Sequence, residues 1–307
     1  MVIKLIKVRN QLKIMKKLTY SILSFLLFAI VTIVSCKKSE NTLENNESDN
    51  VTLMENVQVE EMVTDNFTEI IGISLLDMFL FEESGNQLIT NSEVSEVLNT
   101  SNNLRIACKN VTVNPTGNVF PKTVTIDFGQ GCDEGNRVRK GKMIVVYTGR
   151  MKEAGSKVTT TYENFYINED KIEGSKTIVN NGPNANGKVS FTVTVNHTRT
   201  FAKGGSAKHN SVKTFTWMEG FATNIPLDDV FAITGAESGS DSNGKTFSTT
   251  TLKPLIKKVA CPFMVAGRLQ VNKSGRPSQV IDFGEGECDA KAVVTVNGVS
   301  KEISLKK

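Results

Sequence analysis

From Val111 to the C-terminus the chain repeats with a period of two. The run Val189-Ser190-Phe191-Thr192-Val193-Thr194-Val195-Asn196 puts every apolar side chain on one side and every polar one on the other. Lys213-Thr214-Phe215-Thr216-Trp217 alternates in the same way, and the segment from Val158 to Ile167 is rich in Thr, Tyr and Phe. Successive side chains of a strand point to opposite faces, so this period belongs to half-buried strands. Turn signals separate the runs: Glu153-Ala154-Gly155-Ser156, Asn168-Glu169-Asp170-Lys171, Asn181-Gly182-Pro183-Asn184, Lys203-Gly204-Gly205-Ser206, Asn243-Gly244 and Asn297-Gly298. Such short connections allow only antiparallel neighbours, because a parallel pair needs a crossover of about a dozen residues or more. The pattern predicts about a dozen strands, and a sheet of that size curls or splits into two layers. The expected fold is therefore mainly β, either a strongly curved antiparallel meander or a two-layer sandwich.

One stretch departs from that period. Apolar residues at positions 53, 57, 63, 67, 70, 71, 75 and 78 follow a 3.6-residue repeat, and Thr52 with Glu55 fits a capping box. Ser84-Gly85-Asn86 ends the stretch, and Ser92 to Leu98 has room for a further helical turn. The expectation is a helical segment over residues 52–100 that packs on the sheet, followed by an antiparallel β domain over residues 101–307.

The first residues are an address. Six basic groups (Lys4, Lys7, Arg9, Lys13, Lys16, Lys17) and no acidic one precede Cys36. Of 36 Lys+Arg and 32 Asp+Glu in the whole chain, removing those six leaves 30 against 32, so the body has no basic field for nucleic acid. A basic start, an apolar run from Ile22 to Val34 and the small residue Ser35 make a secretory signal over residues 1–35. A transmembrane anchor is the alternative, but Thr19, Tyr20, Ser21, Ser24 and Thr32 dilute a run already at the short limit for spanning. Ile33-Val34-Ser35-Cys36 resembles a bacterial lipobox, which implies cleavage before Cys36 and diacylglyceryl transfer to its thiol. Two or three acyl chains hold a protein firmly, at about 0.8 kcal/mol per buried methylene. Lys37, rather than Asp, after the Cys favours the outer membrane by analogy, on either its periplasmic or its cell-surface face. Met15 is as good a start as Met1, since Met15-Lys16-Lys17 already supplies the basic region. Cys36 and the polar residues up to 51 read as a lipidated tether, its last fifteen residues reaching about 20 Å.

Beyond Cys36 the chain has four cysteines, which allow three pairings. Cys108 and Cys132 are 24 apart, Cys261 and Cys288 are 27 apart, and each second member follows a related phrase. Two local disulfides are the economical reading for an oxidising envelope, with free buried thiols or a zinc site as the competitors. No C-x-x-C occurs, and His197 and His209 lie far from all four cysteines.

The phrases "IDFGQGCDEGNRVRKGKMIVVYTG", "YENFYINEDKIEGSKTI", "TFSTTTLKPLIKKVACPF" and "IDFGEGECDAKAVVTVNGVSKEISL" are similar, in their order over residues 104–305, to a group of uncharacterised β-rich lipoproteins of Bacteroidota. The resemblance implies a β-rich envelope lipoprotein. It carries no activity and hence no functional residue.

Several motifs promise chemistry. Gly239 to Thr246 matches the spacing of a phosphate-binding loop, yet β-branched residues follow where a helix is needed, and Asn243-Gly244 predicts a hairpin turn instead. Asp127-Phe128-Gly129 and Asp282-Phe283-Gly284 spell the kinase magnesium tripeptide without its partner motifs. Asp282, Glu285, Glu287 and Asp289 form a weak calcium candidate, weighed against a solvated turn closed by a disulfide. Tyr147, Tyr162, Tyr166 and Trp217 are candidates for a ligand face, although strand parity commits about half of the aromatics to the core. No catalytic constellation stands out and no cofactor or nucleotide is called for. The expected function is a non-catalytic, lipid-anchored outer-membrane binding module for a lipid or glycan. A structural or assembly role with another envelope protein is the alternative, and a hydrolase the third reading.

Overall fold

The structure is a computed structural model that describes residues 108–305 apart from 116–118, 134–136 and 224–225. The expected signal, Cys36, the tether and the helical segment lie outside the described residues. Among the described residues no helix is long and apolar enough to cross a membrane.

Among the described residues fourteen strands follow one another: β1 (Asn110–Asn114), β2 (Lys122–Asp127), β3 (Cys132–Asp133), β4 (Val138–Tyr147), β5 (Lys157–Ile167), β6 (Asp170–Pro183) and β7 (Val189–Thr200). The second half comprises β8 (Ser206–Glu219), β9 (Val230–Ser240), β10 (Thr246–Lys258), β11 (Met264–Lys273), β12 (Gln279–Glu285), β13 (Lys291–Val296) and β14 (Val299–Ser304). All belong to one antiparallel sheet in chain order, with the two-residue β3 paired beside β4 and β1 and β14 at the two free edges. This is the meander of the two expected arrangements.

Alternation within each strand makes one face apolar. Val145 and Tyr147 on β4, Val158 on β5, Ile178 on β6, Val193 and Val195 on β7, Phe215 on β8 and Ile233 on β9 are buried in one cluster. That cluster continues through Leu255, Leu269, Ile281 and Val294 to Leu305. Below, "inner" denotes the face carrying these residues. A smaller cluster of Phe128, Cys132, Met143 and Phe165 lies beside it near β3. Bulges break the ladders at Lys140/Lys142, Thr161/Tyr166, Asn180/Gly182, Trp217/Glu219 and Thr250/Leu255. A bulge raises local twist and bends its strand.

Both local disulfides are present: Cys108–Cys132 with Cα atoms 5.2 Å apart, and Cys261–Cys288 with Cα atoms 5.8 Å apart. The two Asp-Phe-Gly phrases are strand-end devices with one shared geometry. Asp127 Oδ1 accepts from Gly129 N–H at 2.8 Å, and Asp282 Oδ1 accepts from Gly284 N–H at 3.0 Å. In each, the Phe between is buried and the Gly takes a positive φ. Gly239 to Thr246 is the end of a hairpin, closed by the Asp241 carboxylate accepting from the N–H groups of Asn243 and Lys245.

Candidate functional site

Strand pairing lines up one inner-face residue per strand in a continuous row. The partners run Val113, Val124, Val145, Thr160, Lys176, Val195, Ser211, Glu237, Thr249, Val271, Gln279 and Val296, from β1 and β2 through β4 to β13. The row is apolar on β1, β2 and β4, is polar from Thr160 to Thr249 except at Val195, and has one further polar member, Gln279, between Val271 and Val296. Its central polar members are buried, with Ser211 and Glu237 each 4% exposed and Thr249 2%.

Glu237 on β9 organises this band. Its Oε2 lies 3.1 Å from Lys213 Nζ and 3.2 Å from His209 Nε2, both on β8. Burial by itself would push the Glu237 pKa up, but the hydrogen bond from His209 and the charge of Lys213 outweigh it and leave the pKa lowered. The carboxylate is therefore ionised at neutral pH and acts only as an acceptor. Its second oxygen, Oε1, has no hydrogen-bond partner, and neither have Ser211 Oγ, Thr249 Oγ1 or His197 Nε2. Such unmet groups cost about 1–3 kcal/mol each in a dry interior, so the presence of three of them, on Ser211, Glu237 and Thr249, at adjacent positions of one row calls for an explanation.

Glycine stands opposite three of the inner-face bases. His197 pairs with Gly174, His209 with Gly239 and Lys213 with Gly235. His197 packs edge-on to Tyr162 with centroids 5.2 Å apart, and His209 stacks on Phe247 at 6.4 Å. Burial, then Lys176, then His209 lower the His197 pKa to about 4, which keeps that imidazole neutral at neutral pH.

The four aromatic candidates do not form one surface. Tyr147 is 3% exposed and belongs to the core. Tyr162 faces inward beside Phe165, at a centroid distance of 5.1 Å. Trp217 also faces inward, but it lies eight residues along β8 from His209, which is about 26 Å at strand spacing. There its indole Nε1–H donates to Asp229 Oδ1 at 3.0 Å, and its ring meets Phe221 and Phe231. Burial raises the Asp229 pKa to about 6, against the opposing hydrogen bond from Trp217. Tyr166 points to the other face, because the β5 bulge at Thr161/Tyr166 places Phe165 inward instead.

Three of the four calcium candidates are engaged separately, and Glu287 is exposed. Asp282 Oδ2 accepts from Arg268 Nε at 2.7 Å, Glu285 meets Lys253 at 2.9 Å, and Asp289 Oδ1 accepts from Lys291 N–H at 3.2 Å. Among the described residues no three His, Cys, Asp or Glu side chains converge as a metal site would require.

No family model, curated protein or solved structure matches this chain. Ser211, Lys213, Glu237 and Thr249 were not singled out from sequence, although the signal existed: Lys213 and Ser211 share the parity of Phe215 and Trp217, and Glu237 that of Phe231 and Ile233. A charged residue on the apolar parity of a strand was the visible anomaly.

Proposed function

We propose that this protein is a lipid-anchored envelope protein, held at the outer membrane through acyl chains on Cys36, whose sheet serves as a non-catalytic binding module for an envelope lipid or glycan. The single observation behind the binding role is the polar row in the middle of an apolar face, with buried groups that lack partners. Apolar walls around a few placed polar groups are the make-up of small-molecule sites. The surroundings of the row argue against nucleophilic catalysis: His209 Nε2, next on the inner face of β8, meets Glu237, and Ser211 Oγ makes no hydrogen bond to any base. The lipobox-like end and the ordered phrases over residues 104–305 support membership of the Bacteroidota lipoproteins they resemble.

Two measurements test the two halves of this reading. Cys36→Ala is expected to move the protein from the membrane fraction to the soluble one; unchanged partitioning removes the anchor. Native mass spectrometry of the protein taken from its own envelope in mild detergent is expected to show a discrete extra mass beyond its covalent acyl groups. A bare lipidated chain turns the search to protein partners.

A further inference from the structure

Resting on the binding role proposed above, we infer that the row Ser211–Glu237–Thr249 is the seat of a neutral, hydroxyl-bearing head of an amphiphile, of the glycerol or sugar type, with the flanking aliphatic residues of the inner face taking its apolar part.

The three residues occupy neighbouring strands β8, β9 and β10 in direct register, so their side chains stand side by side along a line of about 10 Å. All three are more than nine-tenths buried, and each keeps one polar atom unmet: Ser211 Oγ, Glu237 Oε1 and Thr249 Oγ1. Nothing on the neighbouring inner-face positions of the row satisfies them, since these are Val195 on one side and Val271 on the other.

Their chemistry selects the head. A carboxylate oxygen accepts only, whereas the two hydroxyls both donate and accept, so the complement must offer at least one donor and further groups of either kind. Hydroxyls do both. A phosphate or carboxylate head would set like charge against Glu237 Oε1 in a dry environment, which is unfavourable. A trimethylammonium head brings no donor. A primary ammonium would compete with Lys213, whose Nζ already lies 3.1 Å from the other oxygen of Glu237.

The apolar part has a place as well. One register step along the strands lie Val158, Ile178 and Val193 in a second row that ends at Lys213, followed by Phe215 and Ile233. The apolar residues among these belong to the buried cluster, and an acyl chain laid against them would gain about 25 cal/mol for each Å² removed from water. Because Ser211, Glu237 and Thr249 are buried, a bound amphiphile is expected to survive purification in mild detergent.

The test uses the full lipidated chain and the variant Ser211→Ala/Thr249→Val, which removes both hydroxyls with little change of shape. Binding of monooleoylglycerol and of oleate is compared by native mass spectrometry after delipidation, with thermal unfolding as the check on folding. The expected result is that wild type holds monooleoylglycerol at least tenfold better than oleate. The variant is expected to lose that preference by tenfold or more while melting no lower than wild type. If the variant keeps the lipid as wild type does, or if oleate binds equally well, this assignment of the row falls, while the wider binding role stands. If neither probe nor any envelope molecule adds mass and the variant melts higher, the row holds ordered water only, and both this inference and the binding role fall.

Discussion

His197 faces inward on β7 between Tyr162 and His209, with the neighbouring charge of Lys176 adding to the effect of burial. Its pKa is about 4 in the folded chain against an ordinary 6.5. Between those values the unfolded chain binds a proton that the folded chain refuses, so stability falls as pH drops from about 6.5 toward 4. The size of that loss is at most about 3 kcal/mol. Asp229 works in the opposite sense. Its pKa is raised from 3.8 to about 6, so its contribution is full below 3.8 and lost as pH rises through about 6. Glu237, with a lowered pKa, stabilises above its ordinary 4.5, and that contribution is lost as pH falls through its folded value. His197→Phe is expected to flatten the fall in melting temperature between pH 6.5 and pH 4. Thermal melts across that range check it, and an acid loss as steep as that of wild type would rule out this role. His197 was legible from sequence as an inward strand histidine, since Val195 fixes the parity. Its pKa was not, because the burial that chiefly lowers it and the charges of Lys176 and His209 that add to it come from tertiary packing with β6 and β8.

At the scale of the element, alternation tells which residues of a strand share a face only until a bulge intervenes. On β5 strict alternation from Tyr162 would carry Tyr166 inward; the bulge, with Asn164 at a φ of 45°, buries Phe165 and turns Tyr166 outward. Nothing in Tyr162-Glu163-Asn164-Phe165 announces that shift except an Asn able to take a positive φ. The inner-face glycines carry a second, local requirement. Gly235 on β9 has a φ of 141° and lies opposite Lys213, and a Cβ there would clash with the backbone oxygen of Val212. Gly235→Ala is therefore expected to cost about 1–3 kcal/mol, with the loss read from urea unfolding. A cost below about half a kcal/mol would show that β8 and β9 can separate to admit a methyl group.

Across the whole molecule, the two disulfides brace different parts of one sheet. Cys108–Cys132 ties the residues before β1 to β3, and Cys261–Cys288 ties the β10–β11 connection to the β12–β13 connection. Separations of 24 and 27 residues correspond to about 3–4 kcal/mol each on the chain-entropy model. The double change Cys261→Ser/Cys288→Ser is expected to lower the unfolding free energy by roughly that amount under oxidising conditions. In a reducing buffer its melting temperature should approach that of wild type, and a variant as stable as the oxidised protein would mean that the bridge constrains little. The related phrases ending near Cys132 and Cys288 stand on β2 and β12, the second strand from one edge and the third from the other. They are not neighbours in the sheet. Their likeness is the local likeness of two strand ends capped by an Asp and a Gly.

Alternation, short turns and cysteine spacing act over a few to a few dozen residues, so the chain by itself determined an antiparallel meander with two local bridges. The alignment of Lys176, Ser211, Glu237 and Thr249 into one buried row depends on the register of five strands, β6 to β10, spanning more than seventy residues. That register is the outcome of turn lengths, bulges and glycine positions acting together. No local pattern encodes their sum, which is why only the tertiary structure brought the polar residues of the inner face side by side.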